Sequence, residues 1–291
     1  MSTVTILYPG QMGGAFAALL LAAGHETVSP VGCRSEKTQK SAREIGIGIR
    51  DSMIDAVVES DLILSLVPPS AVVDVAHQAI SACREKSVMP VFIDLNAKTP
   101  TDAEYLSRAF DQASLPFCNA CIIGRASHLG KEGRIYVSGP DTMPLEELFK
   151  NILPVIRLGD EVVQASIFKM AFAGFNKAVT AALFETANTA NAFDVTDPLF
   201  KLIEYHLGGT LSDLRKLVPT YPDHITRRAE EMEALAQMLS DCQLPNKIAL
   251  AAGETFRRLG SSGCWPAEET SIHFMALLSA INYRAAPIKM A

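Results

Sequence analysis

Up to about residue 160, short β-type runs alternate with helical stretches, and this alternation limits the possible folds more than any other feature of the chain. Thr3 to Tyr8 (TVTILY), a stretch around Thr27 to Ser29, Asp61 to Leu66 (DLILSL) and Pro90 to Asp94 (PVFID) read as strands. Further strands are expected near Pro116 to Ala120 and Arg134 to Val137. Met12 to Ala23, Ser35 to Arg43, a stretch ending at about Cys83, and Thr101 to Gln112 read as helices. Strands that alternate with helices need right-handed crossovers, so a largely parallel, doubly wound α/β sheet is expected.

The texture changes near residue 160. Twelve of the 18 glycines lie before it, and no proline occurs between Pro154 and Pro198. Val162 to Phe193, rich in Ala, Leu, Phe and Met, reads as one helix of about eight turns. Segments 198–217, 224–242, 245–259 and 266–284 are expected to be helical as well. The predicted division is an α/β domain over 1–161 followed by an all-α domain over 162–291, and a chain of 291 residues suits two domains.

Composition removes several classes of function. The net charge of −6 leaves no broad basic surface, so no nucleic-acid partner is expected. Apolar residues make up 48% of the chain, too many for a disordered scaffold. The longest apolar run, Ala15 to Ala23, has nine residues, about half of a spanning helix, and a buried helix rather than a membrane segment is expected. Six cysteines in a chain of this size read as free thiols in a reducing cytosol, which implies a cytoplasmic location. Cys118-x-x-Cys121 lacks a second pair and reads as two buried thiols. The six histidines form no H-E-x-x-H cluster, so no metal site is expected.

Three places carry candidate chemistry. Tyr8-Pro9-Gly10-Gln11-Met12-Gly13-Gly14 joins the first strand to the first helix. Glycines there let the backbone approach a pyrophosphate, and the helix start attracts its charge. The usual G-x-G-x-x-G is incomplete, because Tyr8 stands at its first glycine. After the second strand, the acidic residue that suits NAD is missing and Arg34-Ser35 occupies the place. A guanidinium beside a hydroxyl suits a 2′-phosphate, so NADP is expected rather than NAD; the plainer reading is a loop with Ser35 as a helix cap. Lys169 lies among Phe168, Met170 and Phe172; spacing alone reads first as a snorkelling lysine, while partial burial would bring its ammonium toward a useful acid–base range. Ser166, Lys169, Asn176 and Thr180 share one helical face, which is expected to meet a cleft or water. Arg227, Arg228, Glu230 and Glu231 read as a solvated, salt-bridged helix face.

Together these residues resemble the 6-phosphogluconate dehydrogenase/β-hydroxyacid dehydrogenase superfamily. Gly10 to Gly13, Gly24-His25 and Arg34-Ser35 look like its cofactor segments, and Leu66-Val67-Pro68 is similar to the strand end that passes the cofactor. Asp94 to Pro100 resembles D-x-S-T-x-x-P, with Asn96 and Ala97 replacing Ser and Thr. Asn119 to Arg125 resembles D-A-P-V-S-G-G, with Ile123 replacing the substrate-binding Ser. Lys169 falls on the family's catalytic lysine, while Ala173 replaces the Asn one turn later. Lys169 to Gly174 with Lys177, Arg228 to Glu233, and Leu244-Pro245 resemble the branch with a phosphogluconate dehydrogenase C-terminal-like helical domain.

The resemblance implies a Rossmann-type domain followed by a helical substrate and dimerisation domain. It implies an NADP-dependent oxidoreductase that moves a hydride between nicotinamide and a small hydroxy or keto substrate, hydroxyacid-like in character. Lys169 is the expected general acid/base. Gly10, Gln11, Met12, Gly13, Arg34, Ser35, Leu66, Val67, Pro68 and Asn96 are the expected cofactor contacts. Asn96, Gly124 and Asn176 are expected to line the substrate site at a cleft between the domains. A homodimer is implied by analogy. The alternatives are an imine reductase of the same architecture and a non-catalytic NADP-binding sensor.

Overall fold

Eight strands form one sheet, and their residues show why: β1 (Thr3–Leu7) and β4 (Leu62–Ser65) are almost wholly buried runs, as strands covered on both faces must be. The computed structural model describes residues 1–265 and 274–282. In chain order β1 is followed by α1 (Gln11–Ala22), β2 (Glu26–Ser29), α2 (Glu36–Ile45), β3 (Gly48–Ile49) and α3 (Met53–Val58). After β4 come α4 (Val72–Lys86), β5 (Val91–Asp94), α5 (Pro100–Gln112) and β6 (Phe117–Ile123). Then follow α6 (Leu129–Glu132), β7 (Arg134–Ser138), α7 (Met143–Leu148) and β8 (Val155–Gly159).

The sheet order is β3-β2-β1-β4-β5-β6-β7-β8. The first six strands are parallel, β7 runs antiparallel to β6, and β8 is parallel to β7. The parallel part has the strand order of a dinucleotide-binding sheet, with its switch point between β1 and β4. One apolar cluster packs Phe16, Leu20, Ala42, Leu145 and Leu148 on one face of the sheet. The other packs Val57, Val75, Ala79, Leu106 and Phe110 on the opposite face. The expected doubly wound architecture is present. Short α3, α7 and the two-residue β3 go beyond the sequence reading, as does β8.

Five helices follow: α8 (Gln164–Ala192), α9 (Thr196–Leu217), α10 (Ile225–Asp241), α11 (Lys247–Ser261) and α12 (Phe274–Ala280). The expected helix at 266–284 is described only over α12 and the two residues after it; 266–273 and 283–284 lie outside the described residues. Contacts divide the chain into Met1–Met170 and Ala171–Ala291, a point inside α8 and nine residues past the expected 161/162. α9 is interrupted at Leu207, whose φ of −129° and ψ of 30° leave the helical region just before Gly208-Gly209. Within the second unit a Cβ at Gly174 would collide with Leu235, so α8 and α10 approach closely there.

α8 has the length and apolar composition to cross a bilayer. Two of its charged residues nonetheless pair with groups on neighbouring helices. Lys177 pairs with Glu231 at 2.9 Å, and Glu185 accepts from Thr255 at 2.6 Å. These are the contacts of a packed domain helix.

Candidate active site

Register places five residues in one row across the sheet: Leu7, Ser65, Asp94, Asn119 and Ser138. The last four are polar yet at most 1% exposed, so each must find partners inside the protein. The row marks the carboxyl ends of the parallel strands, where ligands bind in open α/β sheets. Beyond it lie the β1–α1 turn, the segment after β4 and the segment after β5. β6 continues past the row by four residues, to Ile123.

The β1–α1 turn begins with Tyr8 in the left-handed region, at φ +53°. A non-glycine residue there costs about 1–2 kcal/mol. Tyr8 thus adopts a conformation that glycine takes without strain. Gly10 is the N-cap of α1, with no capping side chain, and a Cβ on it would have no heavy atom within 4 Å. The first-turn N–H groups of Gln11, Met12 and Gly13 are therefore not capped by a side chain. Gly13 has a second reason to be glycine, because a Cβ would press on Ile6 and Pro9 at 3.3 Å.

Arg34 stands over the Tyr8 ring, its guanidinium carbon 4.3 Å from the ring centroid. The Gln39 amide fixes the loop that carries it, donating to the carbonyls of Gly32 (2.6 Å) and Arg34 (3.0 Å). Ser35 is the N-cap of α2, its hydroxyl accepting from the Thr38 N–H at 3.4 Å. The structure therefore brings Gly10 to Gly13 and Arg34 together around Tyr8, with Ser35 holding the helix behind them.

Asn96 ties two strand ends to each other. Its Oδ1 accepts from the Val67 N–H at 2.7 Å, and its Nδ2 donates to Ser65 Oγ (2.9 Å) and Asp94 Oδ1 (2.7 Å). Leu66-Val67-Pro68 and Asn96 thus form one ledge, with every polar atom of the Asn96 amide occupied. Beneath it sits a group the sequence reading did not single out. The Lys98 side chain is 2% exposed, and its Nζ lies 3.1 Å from Oδ2 of the buried Asp94, an ion pair without hydrogen-bond alignment.

Lys169 donates from Nζ to the Ile122 carbonyl at 2.5 Å. That carbonyl lies on the part of β6 that overshoots the polar row, two residues before Gly124. Gly124 has φ +141°, and a Cβ there would come within 3.0 Å of Gly133 Cα, so glycine is required for the chain to turn out of β6. The start of α8 is tied down by the row itself. Asn119 Nδ2 donates to the Val162 carbonyl (2.7 Å) and to Ser166 Oγ (3.0 Å). Ser138 Oγ donates to the same carbonyl (2.9 Å) and accepts from the Ala165 N–H (3.0 Å). Lys169 thus follows a helix start held by two buried side chains, and Phe168 stacks on Tyr136 at 4.2 Å.

Two readings of α8 and α10 need correction. The stripe of Ser166, Lys169, Asn176 and Thr180 does not meet water along its length. Ser166 is 4% exposed and bonded to Asn119, and Thr180 is fully buried, its hydroxyl turned back to the Asn176 carbonyl at 2.8 Å. Asn176 itself is half-buried and lies in the second unit. Arg228 is not part of a solvated face either. It is 8% exposed, stacks 3.7 Å above the ring of the fully buried Tyr221 and donates to Thr220 Oγ1 at 2.6 Å. Burial pushes its guanidinium below the usual range and the Tyr221 phenol above it. Desolvation outweighs the support from Tyr221 and Glu231, so the charge should add little. Arg228→Met is expected to melt no earlier in urea than the parent, whereas Arg228→Ala loses about 2–5 kcal/mol to the cavity. A Met variant as unstable as the Ala variant would show that the polar contacts dominate.

Cys118 and Cys121 are free and buried, and burial raises their thiols to about 12 and about 11. An odd separation along β6 points them to opposite faces of the sheet, so they form neither a metal pair nor a redox pair. Lys169 and Lys98 both oppose the rise at Cys121, which places the two lysines in its electrostatic neighbourhood.

Residues 3–97 match the family model described as NADP oxidoreductase coenzyme F420-dependent, and residues 190–259 match a domain of unknown function, DUF1932. A 28.5 kDa protein in the 7S RNA 5′ region of Methanothermus fervidus is 30% identical over 201 residues, covering 68% of this chain and 76% of the relative. The chain belongs to the same family as this relative, and its fold is that of the 3-hydroxyacid dehydrogenases. Solved structures of similar fold include the conserved protein MTH1747 (TM-score 0.74, 24% identity, 88% of this chain and 96% of that one), whose description notes similarity with 3-hydroxyacid dehydrogenases. Mycobacterium tuberculosis 3-hydroxyisobutyrate dehydrogenase with L-serine aligns with TM-score 0.71 and 15% identity over 90% and 94% of the two chains. An imine reductase from Myxococcus stipitatus in complex with NADP+ aligns with TM-score 0.58 and 17% identity over 90% and 95%. The chain therefore shares the dehydrogenase and reductase fold over most of its length.

Proposed function

We propose that this protein is an NADP-dependent oxidoreductase acting on a small hydroxy or keto substrate, with Lys169 as its general acid/base. The observation that carries the proposal is the Lys169 ammonium held at Ile122, beyond the carboxyl edge of the sheet and two residues from Gly124. The cofactor fits what the first unit offers. The uncapped start of α1 with open space at Gly10 suits a pyrophosphate, Arg34 suits a 2′-phosphate, and the ledge of Leu66, Val67, Pro68 and Asn96 borders the switch point. When bound, the nicotinamide supplies or accepts the hydride.

Lys169 would then give a proton to the carbonyl oxygen during reduction, or take the hydroxyl proton during oxidation. The overshoot of β6 and the two anchors at the start of α8 fix where that proton is exchanged. Asn96 acts by shaping the ledge, since its amide is fully engaged, and Gly124 lets the backbone approach the substrate. Arg125 follows Gly124, is exposed, and makes no ion pair among the described residues, which suits a substrate carboxylate. Residues 1–161 would hold the cofactor, while 162–291 would supply Asn176 and the dimer surface. Exposed Phe175, Phe193, Leu202, Tyr205 and Ile248 in the second unit support a homodimer. The free thiols suit a cytoplasmic setting.

Imine reduction is the second reading, supported by the shared fold with imine reductases. The test is NADPH oxidation by the purified chain with a panel of keto acids, aldehydes and cyclic imines, and NADP reduction with hydroxyacids. Turnover with carbonyl or hydroxyacid substrates is expected. Turnover confined to cyclic imines would transfer the assignment to the second reading, and NADPH binding without turnover would leave a sensor.

A further inference from the structure

We propose that Tyr8 is a specificity-determining residue for the cofactor: its ring is a platform that holds Arg34 in position for the adenosine 2′-phosphate. The inference rests on the NADP reading above and names the residue that makes Arg34 effective. Arg34 is exposed, and among the described residues its guanidinium makes no hydrogen bond or ion pair, only the contact with the ring beneath it. A long exposed arginine samples many rotamers, and each one excluded before binding lowers the entropy lost on binding. The Tyr8 ring performs that exclusion by holding the guanidinium over its face, the guanidinium carbon 4.3 Å from the ring centroid. Stacking leaves the edge of the fork free, and it is the edge that donates to a phosphate.

The backbone of Tyr8 supports the same conclusion. A glycine would occupy φ +53° without strain, but would offer no surface to Arg34. The side chain meets Arg34 on the loop that Gln39 fixes, and it packs against both apolar clusters of the sheet. Ring and guanidinium are therefore both anchored, one by the sheet and one by the loop, before any ligand arrives.

The experiment measures calorimetric binding of 2′,5′-ADP and of 5′-AMP, which differ by the 2′-phosphate, to the apo protein. Thermal melting of each variant confirms that it is folded. Tyr8→Phe keeps the stack and should retain the parental ratio of the two affinities. Tyr8→Leu keeps apolar bulk without the π face and should weaken 2′,5′-ADP about two- to five-fold, leaving 5′-AMP unchanged. Tyr8→Gly, which relieves the φ of +53° but gives up packing against the sheet, should show the same loss of discrimination. Arg34→Ala should lose the preference altogether. If Arg34→Ala weakens 2′,5′-ADP while Tyr8→Leu and Tyr8→Gly do not, the platform is wrong and the NADP reading stands. If the parent does not prefer 2′,5′-ADP, or Arg34→Ala leaves that preference intact, the NADP reading falls and the platform with it.

Discussion

Replacing Lys169 by Ala is expected to lower kcat by about 10²- to 10⁴-fold while NADPH affinity stays within a few-fold of the parent. The split follows from position. Lys169 lies on the first turns of α8 and its ammonium meets the Ile122 carbonyl, whereas the expected phosphate contacts lie on the β1–α1 turn and the Arg34 loop. Loss of a proton donor raises the barrier of the chemical step without touching those contacts. Lys169→Arg is the informative companion. It keeps the charge but holds its protons too tightly to exchange them near neutrality, so it should be impaired nearly as much as Ala. Steady-state kinetics on whichever panel substrate turns over, with NADPH fluorescence titration, read both quantities. A kcat within a few-fold of the parent in Lys169→Ala would remove Lys169 from the acid–base role.

Lys98→Met should destabilise the first unit by about 3–5 kcal/mol, because it leaves the Asp94 carboxylate buried without its cation. Asp94 is fully buried, and its other oxygen already accepts from the Asn96 N–H (3.0 Å) and Nδ2 (2.7 Å). The damage should therefore reach the ledge, since Asn96 in turn holds the Val67 N–H. Asp94→Asn combined with Lys98→Met removes both charges and should recover much of the loss, giving a coupling well above 1 kcal/mol in a double-mutant cycle. Urea denaturation of the four proteins measures it. Additive losses would mean that the pair contributes no specific interaction. A single Lys98→Met variant as stable as the parent would show that the carboxylate is compensated elsewhere.

The strands and long helices were legible because β1 and β4 are unbroken apolar runs and α8 is long and rich in Ala. The buried runs of β1 and β4 and the Ala-rich α8 lie within two residues of where the sequence placed them. What escaped was short or irregular. β3 has two residues and α3 and α7 have six each, too few to show a period. β8 alternates little in exposure and carries Arg157, so nothing in it announces a strand. In the candidate site, the glycine turn and Arg34 were readable as motifs, but the left-handed conformation at Tyr8 was not, because residue identity argues against it. The burial of Arg228 did leave a signal: Ile225, Met232 and Leu235 lie three before it and four and seven after it, on one apolar face. Lys98 left no comparable signal. Its burial depends on the loop after β5 folding back over Asp94, which no local period encodes.

The unbroken course of α8 through residues 170 and 171 constrains how this gene can be cut or recombined. A joint placed where contacts divide would sever a helix in mid-run and expose eight main-chain groups that now bond within it. Grafting a foreign helical half should instead succeed with a seam near Gly159-Asp160, upstream of the anchors from Asn119 and Ser138. The incoming half must then bring its own equivalents of Val162, Ala165 and Ser166 to meet them. In this fold the interchangeable module begins before the second unit does.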